Sequence, residues 1–482
     1  MTMINSNHRF RITTLTIAIL WLFISSLSLL NAQKKATTAE VLVSNSSELN
    51  DAIAKASPGS SIKLKNGTWT DVHIHFRAKG TEQSPITLVA EKPGEVILTG
   101  NSYLTIDGDY LVVDGLYFKD GVLKSTAPVV EFSAGSAYCR LTNTAIVGYN
   151  HTQQATRRRW VTVDGSYHKV DHCCFKGKAH MGPLLRNMPG SKYNHFYSNY
   201  FVDIPVFPEN GLEIIQVMSN APGGEPTKTD GEYLLIENNL FERAHGESAE
   251  IISLKSSFNT VRNNTIRNTK GGIVIRSGHY NVVTGNYIES DGSERGTAGI
   301  RMTGEGNKVT NNLIKGVSSY GIVLMAGEFI DSAITTGWVP SPNAALPNGR
   351  VAFYNPTRKS VVEKNVLINN AGTDIWVGFN YLDKWPRYQY VLLPEENIIS
   401  QNQVVKTKGT GFRIEKSAPE FEHFNSNPNT YTSNKLYTES QPESLNIGIQ
   451  YLPLKQFHEK NALSQFKPLT KNDVGPAWMR EK

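Results

Sequence analysis

One short motif returns along this chain at a nearly constant interval, and that interval constrains the fold more than any other feature. A polar residue, then Asn, one further residue and a large apolar one make up the motif. It occurs as Ser198-Asn199-Tyr200-Phe201, Asn238-Asn239-Leu240-Phe241, Asn263-Asn264-Thr265-Ile266 and Gly285-Asn286-Tyr287-Ile288. It continues as Asn311-Asn312-Leu313-Ile314, Lys364-Asn365-Val366-Leu367 and Gln401-Asn402-Gln403-Val404, with looser copies read at Asn143 and His172. Counted from Asn143, the gaps are 29, 27, 40, 25, 22, 26, 53 and 37 residues. A period in the twenties marks a solenoid, in which each repeat buries its faces only by stacking on its neighbours. Leucine-rich repeats share the range, but their Leu spacing is absent. The apolar stretches are short and rich in Val, Ile and Tyr, as in Tyr233-Leu234-Leu235-Ile236, so they read as strands. Each copy is therefore one coil of an all-β, single-stranded right-handed parallel β-helix, with coils about 4.8 Å apart. The repeated Asn is expected to take up a left-handed bend and to hydrogen-bond the Asn of the next coil.

An open coil exposes unpaired strand edges and needs a cover. Asn45-Ser46-Ser47-Glu48, followed by Leu49, Ala52, Ile53 and Ala56, reads as a capped amphipathic helix plugging the first coil, within an N-terminal cap at about 40–60. The repeat fades after about residue 415, and the remainder, about 416–482 with a helix near 454–464, is expected to form the second cap. No linker divides 33–482, so it reads as one domain. Ahead of it, Arg9 and Arg11 precede an apolar stretch from Leu15 to Leu30 that closes on Asn31-Ala32-Gln33. This is the pattern of a cleavable signal peptide over 1–32, and it predicts a secreted or periplasmic protein with no stable membrane anchor after cleavage. The cysteines number three, Cys139, Cys173 and Cys174. That count excludes a disulfide framework and predicts core packing, with the adjacent pair facing opposite sides of a strand. Formal charge is +6, and no zinc-finger spacing or nucleic-acid reading motif accompanies it, so nucleic acid is not an expected partner.

The chemistry concentrates in Gly246-Glu247-Ser248-Ala249-Glu250-Ile251-Ile252-Ser253-Leu254-Lys255-Ser256. Arg276 follows Lys255 by 21 residues and Arg301 follows Arg276 by 25. Both gaps approximate one coil, so the three cations can project from one face of successive coils. A column of like charges is unfavourable beside a neutral partner and sensible beside a polyanion. Clustered cations also favour a neutral lysine amine. Uronate cleavage by β-elimination needs such groups: a neutralised carboxylate, a base for the C5 proton and a proton for the leaving oxygen. A solvated basic face is the competing reading of the same residues. His73 and His75 alternate on a strand and share one face, which suits a subsite or plain solvent exposure. The insertion from about Gly327 to Lys359, with Trp338 and Tyr354, has a length that commonly shapes a groove.

The run Glu250 to Ser256, with Arg276 beyond it, resembles polysaccharide lyase family 6, which holds alginate lyases and chondroitinase B. The resemblance spans nearly the whole mature chain. It takes in Asn66-Gly67-Thr68-Trp69, Ile106-Asp107-Gly108-Asp109-Tyr110, Val113-Asp114-Gly115-Leu116-Tyr117-Phe118 and Glu209-Asn210-Gly211-Leu212-Glu213. It also includes the closing Pro468-Leu469-Thr470 to Asp473-Val474-Gly475-Pro476. The resemblance implies a parallel β-helix lyase acting on an anionic polysaccharide, alginate first. Lys255 matches the family's Brønsted base, Arg276 its general acid and Arg301 a substrate-binding arginine. His279 stands where members place a further basic residue, and Gln216 where they often place an Arg. Members bind Ca2+ through an Asn and a Glu-x-Glu pair, hard oxygen ligands suited to that ion. Asn210 matches the Asn and Glu250 the second Glu, whereas Ser248 replaces the first. Either Glu247, presented by a bulge, completes the set, or the enzyme neutralises the uronate without calcium. A dermatan sulfate lyase like chondroitinase B, a β-helix glycoside hydrolase and a non-catalytic carbohydrate-binding β-helix are the alternatives. The hydrolase requires a second carboxylate beside Glu250, and the binding protein has no need of Lys255 and Arg276 on successive coils.

Overall fold

The structure, a computed structural model, describes residues 40–480 apart from 123, 125–126, 220–227, 332–344, 347–348, 352–353, 386–387 and 440–446. The signal segment expected over 1–32, and Trp338, lie outside the described residues. From Glu40 on, each coil visits three sheets in turn. Sheet 1 has 14 strands, from Glu40–Val43 to Thr430–Thr432; sheet 2 has 14, from Gly67–Thr70 to Ile449–Pro453; sheet 3 has 12, from His73–Lys79 to Phe412–Ile414. Neighbouring strands pair in parallel, as in Thr260–Arg262 with Val282–Thr284 and Thr265–Arg267 with Tyr287–Glu289. The architecture is a parallel β-helix. Each coil sends one apolar residue or more per sheet inward; Val261, Ile266 and Ile273 of one coil are all at most 1% exposed. Cys173 joins this core while Cys174 packs outside it with Ala145 and Val202, so the adjacent thiols do face opposite sides.

At the corner between sheets 1 and 2 runs a ladder of fully buried asparagines. Nδ2 of Asn199 donates to Oδ1 of Asn239, and the link repeats through Asn264, Asn286, Asn312, Asn365, Asn402 and Asn434 at 2.9–3.0 Å. From Asn239 on, each Oδ1 also accepts the backbone N–H of the preceding Asn, as Asn264 does from Asn239 at 3.0 Å. The amides thereby satisfy backbone groups that the bend removes from the sheets. The expectation that one Asn serves both bend and ladder is corrected: the left-handed residue is the one before it. Asn238, Asn263 and Asn311 have φ near 54° there. Asn143 and His172 also hold that left-handed position, with φ 51° and 50°, so they stand one residue out of register with the ladder. The motif's polar first residue is thus the bend, and the second is the hydrogen-bonding column.

The N-terminal helix Ser46–Ala54 forms as expected. Asn45 accepts from the Glu48 N–H at 3.0 Å, and Leu49 and Ile53 are buried against the first coils. The C-terminal expectation needs two corrections. The stack runs past residue 415 through Thr430–Thr432, Asn434–Thr438 and Ile449–Pro453, in which Ser433-Asn434-Lys435-Leu436 is a further copy of the motif. The rest of the tail is a strap along the outer face of sheet 2. Leu469 N–H donates to Thr265 Oγ1, Gly475 N–H to Ser198 O and Trp478 Nε1 to Asn143 O, at 2.8, 2.8 and 3.0 Å. The strap therefore returns toward the N-terminal coils, covering apolar side chains such as Val366, Val405 and Cys174. Within the insertion after Met325, Gly327–Asp331, Ala345–Leu346 and Gly349–Val351 join Lys384–Trp385 and Tyr388–Leu392 in a separate antiparallel sheet.

Candidate active site

Sheet 3 departs from strict alternation at one height, and that departure creates the site. Between Glu250 and Ile252 the pairing register slips, a β-bulge in the strand Glu250–Lys255. Ile251 and Ile252 both turn inward, 1% and 0% exposed. Glu250 and Ser253, three residues apart, then share the outer face, and Ser253 Oγ donates to Glu250 Oε2 at 2.5 Å. The preceding coil repeats the device: Ile214 and Ile215 are both in the core, and Gln216 Nε2 donates to Glu213 Oε1 at 2.5 Å. On the following coils the position is glycine, because a Cβ on Gly272 would stand 2.0 Å from Gly299 O. A bulge stacked over several coils re-aims side chains without ending the sheet.

Beyond the bulge, Leu254 pairs with Ile275. The next residues, Lys255 and Arg276, fall at one height on neighbouring rungs, with side chains 18% and 30% exposed. Arg301, opposite Val274, stands on the third rung at the same face. The three cations meet three carboxylates. Lys255 Nζ lies 2.6 Å from Glu213 Oε1, so its closest partner is an anion instead of the cation column expected. Arg301 bonds Glu250 Oε1 at 2.6 Å, and Arg276 approaches the same oxygen at 3.9 Å. Glu247 accepts the Gly211 N–H at 2.6 Å. Oxygens of Glu213, Glu247 and Glu250 all lie within 4.8 Å of one another.

This crowding sets the ionisation. Burial, then the Glu213 carboxylate, push Glu247 up to about 7. For Glu213 burial acts upward, but the Lys255 ammonium outweighs it and holds the carboxyl below its usual range. Burial also opposes the charges on Arg276 and Arg301. Tyr354 and then Glu250 outweigh it for Arg276, and Tyr320 and then Glu250 for Arg301, so both stay above the ordinary arginine value. The Arg276 guanidinium sits 5.4 Å from the centre of the Tyr354 ring, so the insertion contributes a wall to the groove.

Several expected roles change. His279 is 1% exposed, and its Nδ1 accepts the Glu305 N–H at 3.0 Å; it pins a turn and does not reach the outer face as a substrate residue. Gln216 is 4% exposed and directed at Glu213, so it positions that carboxylate and does not line an open subsite. Asn210 is exposed, next to Gly211. His73 and His75 are exposed on sheet 3, His73 stacked on Tyr103 and His75 3.1 Å from Asp107. Glu213 is the residue that sequence reasoning left without a role. Its signal was arithmetic: Glu213 to Glu250 and Gln216 to Ser253 are both 37 residues, the same pair one coil apart. Arg186 was also missed; it pairs with Gln216 one rung earlier, and burial followed by Arg159 brings it down to about 10.

The family model described as Chondroitinase B matches residues 43–371. Among solved structures, the PL6 family polysaccharide lyase Pedsa3628 from Pseudopedobacter saltans is similar, with a TM-score of 0.79 and 37% identity over 91% of this chain and 99% of that one. The PL6 family alginate lyase AlyGC gives a TM-score of 0.77 and 28% identity over 91% of this chain and 59% of its own. A mannuronic acid specific polysaccharide family 6 lyase from human gut microbiota shares the fold, at 0.73 and 24% identity over 92% and 97%. No curated protein matches.

Proposed function

The chain belongs to polysaccharide lyase family 6, and from that premise we propose that it is a secreted enzyme cleaving alginate by β-elimination at Lys255 and Arg276. The observation that carries this reading is the pairing of those two side chains at one height on adjacent rungs, partly open to solvent and backed by carboxylates. Lys255, oriented by Glu213, takes the C5 proton of a bound uronate. Arg276 and Arg301 neutralise the substrate carboxylate and the charge that develops on it. The C4–C5 double bond forms as the C4–oxygen bond breaks. The leaving oxygen takes a proton, which Lys255 can return when both groups lie on one face of the ring. Because Arg276 is held firmly charged, its part is electrostatic, in contrast to the general acid that the family resemblance implies. The alginate reading follows from the likeness to an alginate lyase at 28% identity.

The donor set also fits a hard divalent cation. Beside the three carboxylates, Glu213 Oε2, Gln216 Oε1 and Ser248 Oγ are buried oxygens with no partner among the described residues. Calcium takes six to eight such ligands, and Glu213, Glu247 and Glu250 would hold it in place of the set Asn210, Glu247 and Glu250. Bound there, Ca2+ would add positive charge against the substrate carboxylate.

A second reading, a dermatan sulfate lyase, is favoured by Arg159 and Arg186, each with a buried Nε that has no partner among the described residues; a sulfated chain calls for such extra cations. One assay tests all of this. The enzyme is incubated with polymannuronate, polyguluronate and dermatan sulfate, with and without chelator, and the ultraviolet absorbance of the unsaturated uronate is followed. The chromophore is expected from an alginate block; cleavage without it, or no cleavage of any of the three, overturns the lyase reading.

A further inference from the structure

Around the body from the active site, the C-terminal strap and the outer face of sheet 2 enclose a cleft of about 400 Å3. Its floor is apolar, with Cys174, Val202 and Pro476, and the ring of Tyr117 meets Trp478 at 5.3 Å to form one corner. Its rim is basic. Lys119, Lys176, Arg243, Lys471 and Arg480 line it, against one lining carboxylate, Asp203. Asp203 is already shared: Lys176 Nζ lies 3.2 Å from it and Arg243 Nε 2.8 Å. Lys119 and Lys471 are exposed and make no ion pair among the described residues.

A strap needs only apolar residues to adhere to a sheet. Lys119 and Lys471 add positive charge to a rim whose Asp203 is already taken up by Lys176 and Arg243, and neither is answered by an ion pair among the described residues. A concave site with an apolar floor, an aromatic corner and a few fixed charges is the form of a ligand pocket. An aromatic face suits a sugar ring, and the uncompensated charge suits an acid. We propose that this cleft is a second, non-catalytic binding site for an acidic oligosaccharide, gripped by Lys119, Lys176, Arg243 and Lys471 with a sugar ring against Trp478. The proposal rests on the polyuronate reading of the active site. It gives the enzyme a second hold on a polymer whose other segment lies at sheet 3, so that two weak contacts act together.

The test uses the full chain carrying Lys255→Ala, so that ligand is not cleaved, titrated calorimetrically with a short saturated mannuronate oligomer. Adding Lys119→Glu and Lys471→Glu is expected to weaken one binding event at least tenfold, while a neutral 1,4-linked oligosaccharide of equal length gives no heat. In the otherwise native enzyme the same two reversals should raise KM on polymer several-fold and leave turnover of short oligomers unchanged. The milder pair Lys119→Gln and Lys471→Gln, with thermal midpoints for every variant, separates lost binding from lost fold. An isotherm unaffected by the substitutions, or equal binding of the neutral sugar, overturns the proposal. Failure of the lyase reading is recognised separately, as absence of the unsaturated chromophore from the native enzyme.

Discussion

Two columns of polar side chains climb the same coils of this molecule and obey opposite rules. In the asparagine ladder every amide from Asn199 to Asn434 is neutral, buried and linked to the next at a constant 2.9–3.0 Å. In the cluster on sheet 3, Glu213, Glu247, Glu250, Lys255, Arg276 and Arg301 occupy four coils, change identity at each and leave oxygens such as Glu213 Oε2 without partners among the described residues. The ladder spends every polar atom on the scaffold, which is what a stacked fold requires. The cluster keeps charge and hydrogen-bonding capacity in reserve, which a scaffold never needs and a reacting site does. Repetition therefore marks architecture here, and the break in repetition marks chemistry.

Substitutions on the two columns should separate function from stability cleanly. Lys255→Ala is expected to lower kcat/KM by at least about 10^3-fold, within the range for loss of a general base, while the protein stays folded with a modestly lower thermal midpoint, because the buried Glu213 loses its ammonium partner. Rates of chromophore formation beside a melting curve check it; an equal loss of folding would transfer Lys255 to the scaffold. The converse is Asn264→Leu. It removes the acceptor of Asn239 and the donor to Ile236 O, Arg262 O and Asn286. Several buried groups left unpaired at about 1–3 kcal/mol each should cost about 4 kcal/mol in urea unfolding, with activity per folded molecule unchanged.

The smallest effect concerns histidines that side with the ladder. Burial holds both His168 and His279 down to about 4, against an ordinary value of about 6.5. Between those values the unfolded chain binds a proton that the folded chain refuses. Stability is therefore full above about pH 6.5 and falls as pH drops toward 4, by up to about 3 kcal/mol for each imidazole. Urea midpoints measured across that window check the slope, and His279→Asn should remove its share, leaving that of His168, without altering turnover at neutral pH. A loss of turnover would return His279 to the substrate groove.

Much of the scaffold was legible because a coil must close on itself at every turn, and closure imposes the same bend at the same interval. That requirement wrote the Asn motif and its period into the chain, together with the capping helix at Ser46–Ala54. The motif did not reveal which of its two polar residues bends and which bonds, so Asn143 and His172 were read one position out of register with the ladder. Lys255, Arg276 and Arg301 could be placed on one face because their gaps, 21 and 25 residues, are close to a coil, although Arg301 stands opposite Val274, two positions from the height of the other two. Glu213 was not grouped with them despite its 37-residue spacing to Glu250, since its outer-face position depends on Ile214 and Ile215 both turning inward, a local slip that alternation rules do not anticipate. The return of the tail along sheet 2 was equally hidden, because one apolar surface can receive a strap of many sequences.

By itself, then, the sequence determined the stacked architecture, the coil interval and the cations of one face of sheet 3, for these follow from periodicity that every coil must respect. Tertiary structure alone decided which carboxylates face those cations, which histidine is buried, and where the tail lies. Burial, a bulge and the docking of distant segments are properties of packed neighbours, and no short window of sequence contains the neighbours.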